Sequence, residues 1–454
     1  MPTTKNKVPK KKSRYLTENS ITRYITFSAL YIAQGIPEGI TYFAIPAWLA
    51  MNDKTPLEIA AFLGVVGIPW SFKILIAPLM DRFTILSMGK KRPWVIFGQL
   101  GLILSFLAIG FLPDPLNNTF GLMTAGFFIS FFGAFQDVAT DGMAVDVIPV
   151  NQQARANGLM WGTKIVGISL SLVAGTALIN AYGFTTAISS LSIAVIIIMI
   201  IPIYFRERPG EKLMPWTLGE ASHDSKKTQL RSWKHILKSL YKVVSLKSSL
   251  LFSIGVLATG ALFGLMDTLL PIFTIQELGW TNSSFSEVFS ITTLIGGFLG
   301  MFIGGYLVDY FGKIKMLTLY LAIITFLIAA FAFMTDLWSN NTIVYAFILS
   351  YYTFYTFLCI AIFASGMHLC WKTVAATQFT LYMALSNMGR AAGAASLGVM
   401  KTNFSWEYIF LIIAVMPVIM AIFIQFINFD KHRAKVDSFV ILNQTLVAPT
   451  VIKN

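Results

Sequence analysis

Twelve stretches of roughly 20 or more mostly apolar residues run through the chain. They lie at 23–50, 57–81, 93–112, 119–146, 155–179, 184–205, 249–276, 284–309, 315–335, 342–368, 374–400 and 405–428. At about 1.5 Å per residue, each is long enough to cross a hydrocarbon core about 30 Å thick as an α-helix. Composition agrees. Of 454 residues, 56% are hydrophobic and only 12% charged, about half the charged share of a soluble domain. The expected fold is an all-α membrane protein of 12 transmembrane helices, with the lipid bilayer as its first partner.

An even number of spans puts both termini on one side, and Lys and Arg choose the side. One set of connections holds the N-terminal cluster (Lys5, Lys7, Lys10, Lys11, Lys12, Arg14), then Arg82, Lys90, Lys91, Arg92, Arg155, Lys313, Lys315, Lys372 and the tail's Lys431, Arg433 and Lys435. The opposite set holds only Lys54 and Lys401. Both termini are therefore expected in the cytoplasm. The same asymmetry accounts for the net charge of +13 without nucleic acid. A basic start followed by apolar residues also fits a signal peptide. The apolar region at 21–51 is too long for one and is interrupted by Gln34, Pro37 and Glu38, so an uncleaved first span is expected.

The longest polar connection, 206–248, carries ten Lys/Arg against four Asp/Glu. Its second part spaces Trp233, Ile236, Leu237, Leu240, Tyr241 and Val244 helically between lysines. That pattern fits a basic amphipathic helix on the inner membrane surface, or a solvated linker with some helix. The expected organisation is a basic N-terminus (1–22), a six-helix bundle (23–205), the linker (206–248), a second six-helix bundle (249–428) and a cytoplasmic tail (429–454). The halves echo each other. Asp81-Arg82 ends the second span and is followed by Gly89-Lys90-Lys91-Arg92. Asp309 ends the eighth and is followed by Gly312-Lys313-Ile314-Lys315, at an offset of 228. Pro46 and Pro271 also correspond. Paired six-helix repeats are a transporter pattern.

These residues resemble the major facilitator superfamily. Its signature loop, Gly-x-x-x-Asp-Arg/Lys-x-Gly-Arg/Lys-Arg/Lys, matches at Gly305 to Lys315. The first copy departs from it, with Ala77 for the first Gly and extra residues Thr84 to Met88. Several motifs are similar to the AmpG-type muropeptide permease and acetyl-CoA transporter branch. They are Tyr31-x-x-Gln34-Gly35-x-Pro37, Pro46-Ala47-Trp48-Leu49, Lys73-x-x-x-Ala77-Pro78-x-x-Asp81-Arg82, Gly89-Lys90-Lys91-Arg92-Pro93-Trp94 and Gln136-Asp137-x-Ala139-x-Asp141-Gly142. Ala376-Thr377-Gln378 and Gly389-Arg390 fit less specifically. The match is dense over 30–165 and thin after 210. The resemblance implies two pseudo-symmetric bundles and alternating access in a bacterial inner membrane. It also implies import of an anhydro-muropeptide with proton coupling. In that superfamily, spans 1, 2, 4, 5, 7, 8, 10 and 11 line the cavity. Signature residues Asp81, Arg82, Lys91, Arg92, Gly305, Asp309 and Lys313 would serve gating.

Ionisable groups within spans are costly, roughly 2.5–3.5 kcal/mol each on insertion scales, and are functional candidates by default. Glu38, Lys73, Asp137, Lys164, Asp267 and Arg390 fall near the middle thirds of their spans. Asp137 and Asp141, four apart, share a helix face. Like charges that close favour a proton on one of them. They are read as proton-coupling groups or as structural partners of Lys164. Glu38, on a stripe with Gln34 and Tyr42, is read as a third proton group or as a permanent partner of Lys73. Lys73, Lys164 and Arg390 could clamp an anionic solute; for Arg390 the structural alternative is a pair with Asp267. Arg390 shares a stripe with Gln378, Tyr382 and Ser386. Further substrate-contact candidates are Tyr31, Gln34, Gln136, Asp267, Gln378, Tyr382 and Tyr355, and Tyr351 and Tyr352 could meet a sugar ring. Asp146 is expected at a helix end, meeting Arg155. His368 is expected at an interface.

The chain carries no P-loop, no His-Glu-x-x-His and no Gly-x-Ser-x-Gly, so no enzyme activity and no ATP hydrolysis are expected. Cys359 and Cys370 have no metal-ligand spacing, and no metal or cofactor is expected. The expected partners are a small-molecule solute and a proton, with no nucleic acid, in a chain compatible with a monomer. Alternative cargoes are a siderophore, a nucleotide-like or acyl-CoA anion, or an exported drug. A sensor built on a transporter fold is another reading. A remote one places Mg²⁺ between Asp137 and Asp141 in an intramembrane transferase.

Overall fold

The computed structural model describes residues 14–52, 54, 56–229, 232–280 and 282–445. The basic residues at 5–12, Arg231 and the end of the tail, which entered the expectations above, lie outside the described residues. Twelve long helices run through the described chain. They are α1 (Ser20–Gly39, carried through a π turn at Ile40–Ala44 into Ile45–Met51), α2 (Pro56–Arg82), α3 (Arg92–Ile109), α4 (Thr119–Val147), α5 (Gln153–Tyr182) and α6 (Phe184–Tyr204). The second set is α7 (Lys247–Ile272), α8 (Asn282–Leu299, continued through Gly300–Gly304 into Gly305–Phe311), α9 (Lys313–Phe333), α10 (Asn341–Leu369), α11 (Ala375–Asn403) and α12 (Trp406–Ile424).

Ten helices among the described residues are long and apolar enough to cross a membrane by length and composition alone. α1 and α11 fall short because they carry Gln34, Glu38, Gln378, Arg390 and many small residues. Each is one partner of an equivalent pair, α1 with α5 in the first half and α11 with α7 in the second, and each is held by close backbone contact. A Cβ on Gly35 would lie 2.4 Å from the Lys164 carbonyl, and one on Gly39 2.1 Å from Ser171 Oγ, so α1 lies directly on α5. Likewise a Cβ on Gly264 would lie 2.0 Å from the Arg390 carbonyl, and one on Gly389 1.9 Å from the Leu257 carbonyl, pressing α7 on α11. Small residues at such crossings let dispersion replace the missing hydrophobic force between helices in lipid.

The end bearing the basic connections is here called the basic end. There, one buried core runs across both halves and includes Ala77, Met80, Val138 and Met143 with Met316, Leu358, Ala376 and Phe379. Toward the opposite end α1–α6 have a separate core around Ile40, Phe62, Phe106 and Ile188. The halves are thus joined at the basic end and part toward the other, where the space between them opens.

The linker folds over the basic end. Glu207 receives the backbone N–H groups of Lys90 (2.9 Å), Lys91 (2.7 Å) and Arg92 (2.6 Å), capping α3, as a carboxylate at a helix N-terminus does. A helix at Trp233–Val244 buries Ile236, Ser239 and Val243. Its Ile236 and Val243 pack with Trp371, Val374 and Val436, the last from a helix at Phe429–Thr445.

Candidate functional site

Two tiers of charge stand between the halves. In the deeper tier α4 presents Asp137 and Asp141 on one face. Lys73 Nζ of α2 reaches Asp137 Oδ2 at 2.8 Å, and Gln34 Nε2 of α1 donates to Asp137 Oδ1 at 2.5 Å. The Tyr31 hydroxyl donates to Asp141 Oδ1 at 2.5 Å. All five groups are nearly sealed, with the Lys73 and Asp137 side chains 9% and 6% exposed.

The upper tier is wetter. Lys164 Nζ of α5 meets Glu38 Oε1 of α1 at 2.6 Å. Across the opening, Arg390 Nη2 of α11 meets Asp267 Oδ2 of α7 at 2.7 Å, and the Tyr352 hydroxyl donates to Asp267 Oδ1 at 3.2 Å. Arg390 is 54% exposed, so its remaining guanidinium donors face open space. The rings beside these cations are equally specific. Lys164 Nζ lies 5.5 Å from the Trp161 ring and 5.7 Å from that of Trp70, which Lys73 also approaches at 5.7 Å. Arg390 lies 4.6 Å over Phe263, and Phe263 stacks on Tyr355 at 4.6 Å. Cations over ring faces gain electrostatically.

Several expectations are corrected. Glu38 pairs with Lys164, and Asp137 with Lys73, the reverse of the partners read from sequence. The glycine face of α1 is turned onto α5, which carries Glu38 toward α5 and away from α2. Asp146 meets Arg208 Nη2 at 2.5 Å rather than Arg155, because the linker folds back beneath α4. Gln136 Nε2 donates to the Leu30 carbonyl at 2.9 Å and ties α4 to α1. Gln378 and Tyr382 are fully buried near the start of α11. Gln378 holds Trp371 N–H and the Leu369 carbonyl, and the Tyr382 hydroxyl bonds Gln378 and Ser249. Neither reaches the opening; Gln378 is 12 residues, or about 18 Å, below Arg390 on the same helix. Tyr351 is fully buried too. The Mg²⁺ reading fails on chemistry. Asp137 and Asp141 are engaged by hydrogen-bond donors that a metal would have to displace.

Trp70, Trp161 and Phe263 were not singled out from sequence. A signal existed for two: Trp70-x-x-Lys73 and Trp161-x-x-Lys164 share one spacing, and residues three apart share a helix face. Glu207 and Arg208 left no signal, since nothing in a polar linker marks a group for burial.

The signature residues join the halves at the basic end. Asp81, sealed from solvent, binds Lys91 Nζ at 2.5 Å. It also accepts Thr377 N–H at 2.9 Å and Thr377 Oγ1 at 2.7 Å, at the start of α11. Asp309 mirrors this by accepting the N–H groups of Ala154 (3.3 Å) and Arg155 (3.1 Å) at the start of α5. Gly305 permits that approach, since a Cβ there would sit 2.4 Å from the Ala154 carbonyl. Lys313 Nζ reaches the Val150 carbonyl at 3.4 Å. Arg92 stays within its own half, donating to the carbonyls of Pro202 and Met88, each at 2.7 Å, and of Leu213. Arg82 meets no carboxylate among the described residues and lies against Phe83 and Trp233.

A twelve-helix, two-bundle membrane protein with charge at its centre and carboxylate-capped junctions defines a class of solute carriers. The sequence model of the Major Facilitator Superfamily matches residues 27–394, and the chain belongs to that superfamily. Within it, the chain is similar to the anhydromuropeptide permease of Escherichia coli K12, at 26% identity over 420 residues, covering 89% of this chain and 80% of that protein. It is also similar to the putative transporter AmpG 1 of Rickettsia conorii, at 22% identity over 84% of this chain and 91% of that protein. Among solved structures, the Escherichia coli fucose:proton symporter superposes with a TM-score of 0.68 at 14% identity, over 90% of this chain and 99% of that chain. A bacterial homologue of the iron transporter ferroportin superposes at 0.63 with 12% identity, over 91% and 99%. The protein is a multi-pass membrane transporter.

Proposed function

We propose that this transporter is a proton-coupled importer of a polar, anionic solute of the anhydro-muropeptide class, working in a bacterial inner membrane with both termini in the cytoplasm. The observation that carries the reading is the upper tier. A lysine–carboxylate pair from one half and an arginine–carboxylate pair from the other flank the opening, each beside aromatic rings. Arg390 offers a planar fork for a carboxylate and Lys164 a point charge, while Trp161 beside Lys164 offers an aromatic surface for a sugar ring. The name borne by the Escherichia coli relative supports this cargo class. The deeper tier supplies the proton step. Two carboxylates one turn apart face one directly bonded lysine, so local neutrality is met with one proton, carried by Asp141 in exchange with the tier above. With the basic end closed by Asp81 and Asp309, this conformation is the one that admits solute from the opposite face. Loading would loosen these caps and allow the halves to rock.

The test is uptake of labelled anhydro-muropeptide into proteoliposomes, with and without an inward proton gradient. The gradient is expected to accelerate uptake in the wild type. Asp141→Asn is expected to abolish that acceleration while keeping gradient-free exchange. Arg390→Gln and Lys164→Gln are expected to raise KM about tenfold or more, the loss of a charge-assisted hydrogen bond. Acceleration that survives Asp137→Asn together with Asp141→Asn would remove these residues from the proton path.

A further inference from the structure

Arg82 ends α2 without an ion-pair partner among the described residues. Its guanidinium instead lies beside two aromatic rings, 4.8 Å from that of Phe83 and 4.7 Å from that of Trp233. It stands at the mouth of a groove of about 630 Å³, whose other walls include Phe83, Ile85, Pro93, Trp94 and Phe97. This groove is remote from the central tiers and lies on the outer wall of α2 and α3. Above it, Leu75, Leu79, Leu100 and Leu104 are all exposed. In a bilayer that wall faces acyl chains, so the groove is a downward continuation of the lipid phase ending in a cation.

The linker helix Trp233–Val244 closes the lower side. It packs against the end of α2, and Trp233 meets Phe83 edge-on at 6.0 Å. With Ile236, Ser239 and Val243 turned inward, Trp233, Leu237 and Tyr241 form an exposed apolar stripe at four-residue spacing. Lys234 and Lys238, also exposed, flank it. An apolar stripe edged by lysines is the pattern of a helix lying in the headgroup layer. Each such base near an anionic surface is worth about 1 kcal/mol.

We propose that this groove is a binding site for one anionic phospholipid of the leaflet at the basic end. Its phosphate sits on Arg82, with Lys234 and Lys238 alongside, and one acyl chain lies between Phe83, Ile85, Trp94 and Phe97. Charge complementarity selects the headgroup: the lining holds one cation, Arg82, and no carboxylate among the described residues, and Lys234 and Lys238 stand exposed on the adjoining helix. The two rings hold the guanidinium at the groove, where no carboxylate among the described residues takes up its N–H groups. A zwitterionic lipid meets the same groove but brings its own ammonium toward Arg82, Lys234 and Lys238. A soluble phosphate meets the cation but leaves the groove unfilled.

The test is native mass spectrometry of the full chain released from detergent after exchange with dioleoyl phosphatidylglycerol, dioleoyl phosphatidylcholine or glycerol 3-phosphate, each alone. One phosphatidylglycerol is expected to be retained at least tenfold more strongly than phosphatidylcholine, with no retention of glycerol 3-phosphate. Arg82→Gln and the pair Lys234→Gln/Lys238→Gln are expected to lower phosphatidylglycerol retention toward the phosphatidylcholine level. Ile85→Asp, which leaves every base in place, is expected to lower it too. Each variant is first required to match the wild-type melting temperature in lipid-free detergent. Equal retention of both lipids overturns the proposal, as does full retention by Arg82→Gln or Ile85→Asp. So does a lipid-free dimer, which would mean that a second copy covers the groove.

Discussion

If the carboxylate caps hold the basic end closed, Asp81→Asn should open it, and the magnitude follows from its bonds. Asp81 accepts two hydrogen bonds from Thr377 in the opposite half, at 2.9 and 2.7 Å. Bonds to a charged group contribute about 1.5–3 kcal/mol each. Asparagine retains one neutral acceptor, so roughly 2–4 kcal/mol of closure is lost, or about 30- to 1000-fold in the open-to-closed ratio. Lys91 adds to the effect. It keeps the Met80 carbonyl at 2.9 Å but loses its counter-ion, and a buried unpaired ammonium favours any state that hydrates it. Cys370 reports the opening. It is buried at the turn between α10 and α11. Burial, followed by the charges of Asp81 and Asp141, pushes its thiol well above the ordinary range, so maleimide reacts slowly in the closed form. In a Cys359→Ser background, Asp81→Asn is expected to raise the Cys370 labelling rate at least 30-fold. Thr377→Ala, which removes only the hydroxyl bond and leaves Lys91 paired, should raise it about tenfold. Wild-type labelling rates in both variants, with folded protein by size exclusion, would refute the latch.

Three further outcomes are expected. Burial, then the neighbouring Glu207, raises Glu211 from 4.5 to about 8, so the folded linker holds a proton that the unfolded chain releases. That contribution is full below about pH 4.5 and disappears as pH rises to about 8, on the order of a few kcal/mol. Glu211→Gln should therefore flatten the fall in apparent melting temperature across that window. Gly389→Val places atoms where a Cβ alone meets the Leu257 carbonyl at 1.9 Å. It should cost about 1–3 kcal/mol or more, read as a lowered melting temperature, while Gly255→Ala, with open space around it, should not. Reversing the Glu38–Lys164 pair tests its structural share. Glu38→Lys and Lys164→Glu should each lower stability, and the double reversal should restore it while solute KM stays raised.

The spans, the asymmetry of basic residues and the superfamily are legible in the order of residues alone. These are one-dimensional properties. Lipid demands contiguous apolar runs, and the signature loops are short enough to read as motifs. The same order marks Glu38, Lys73, Asp137, Lys164, Asp267 and Arg390, because a charge inside an apolar run is conspicuous wherever it points. Which charge meets which is set by how the helices pack. α1 could present Glu38 to α2 or to α5 with the same periodicity, and the choice was made by Gly35 and Gly39 seating on the backbone of α5 at Lys164–Ser171. The linker shows the same limit. Glu207, Arg208 and Glu211 read as solvated charge, and they are buried because three backbone N–H groups at the start of α3 and the carboxylate of Asp146 lie above them. Burial of a charge depends on partners distant in the chain, and no local pattern records them.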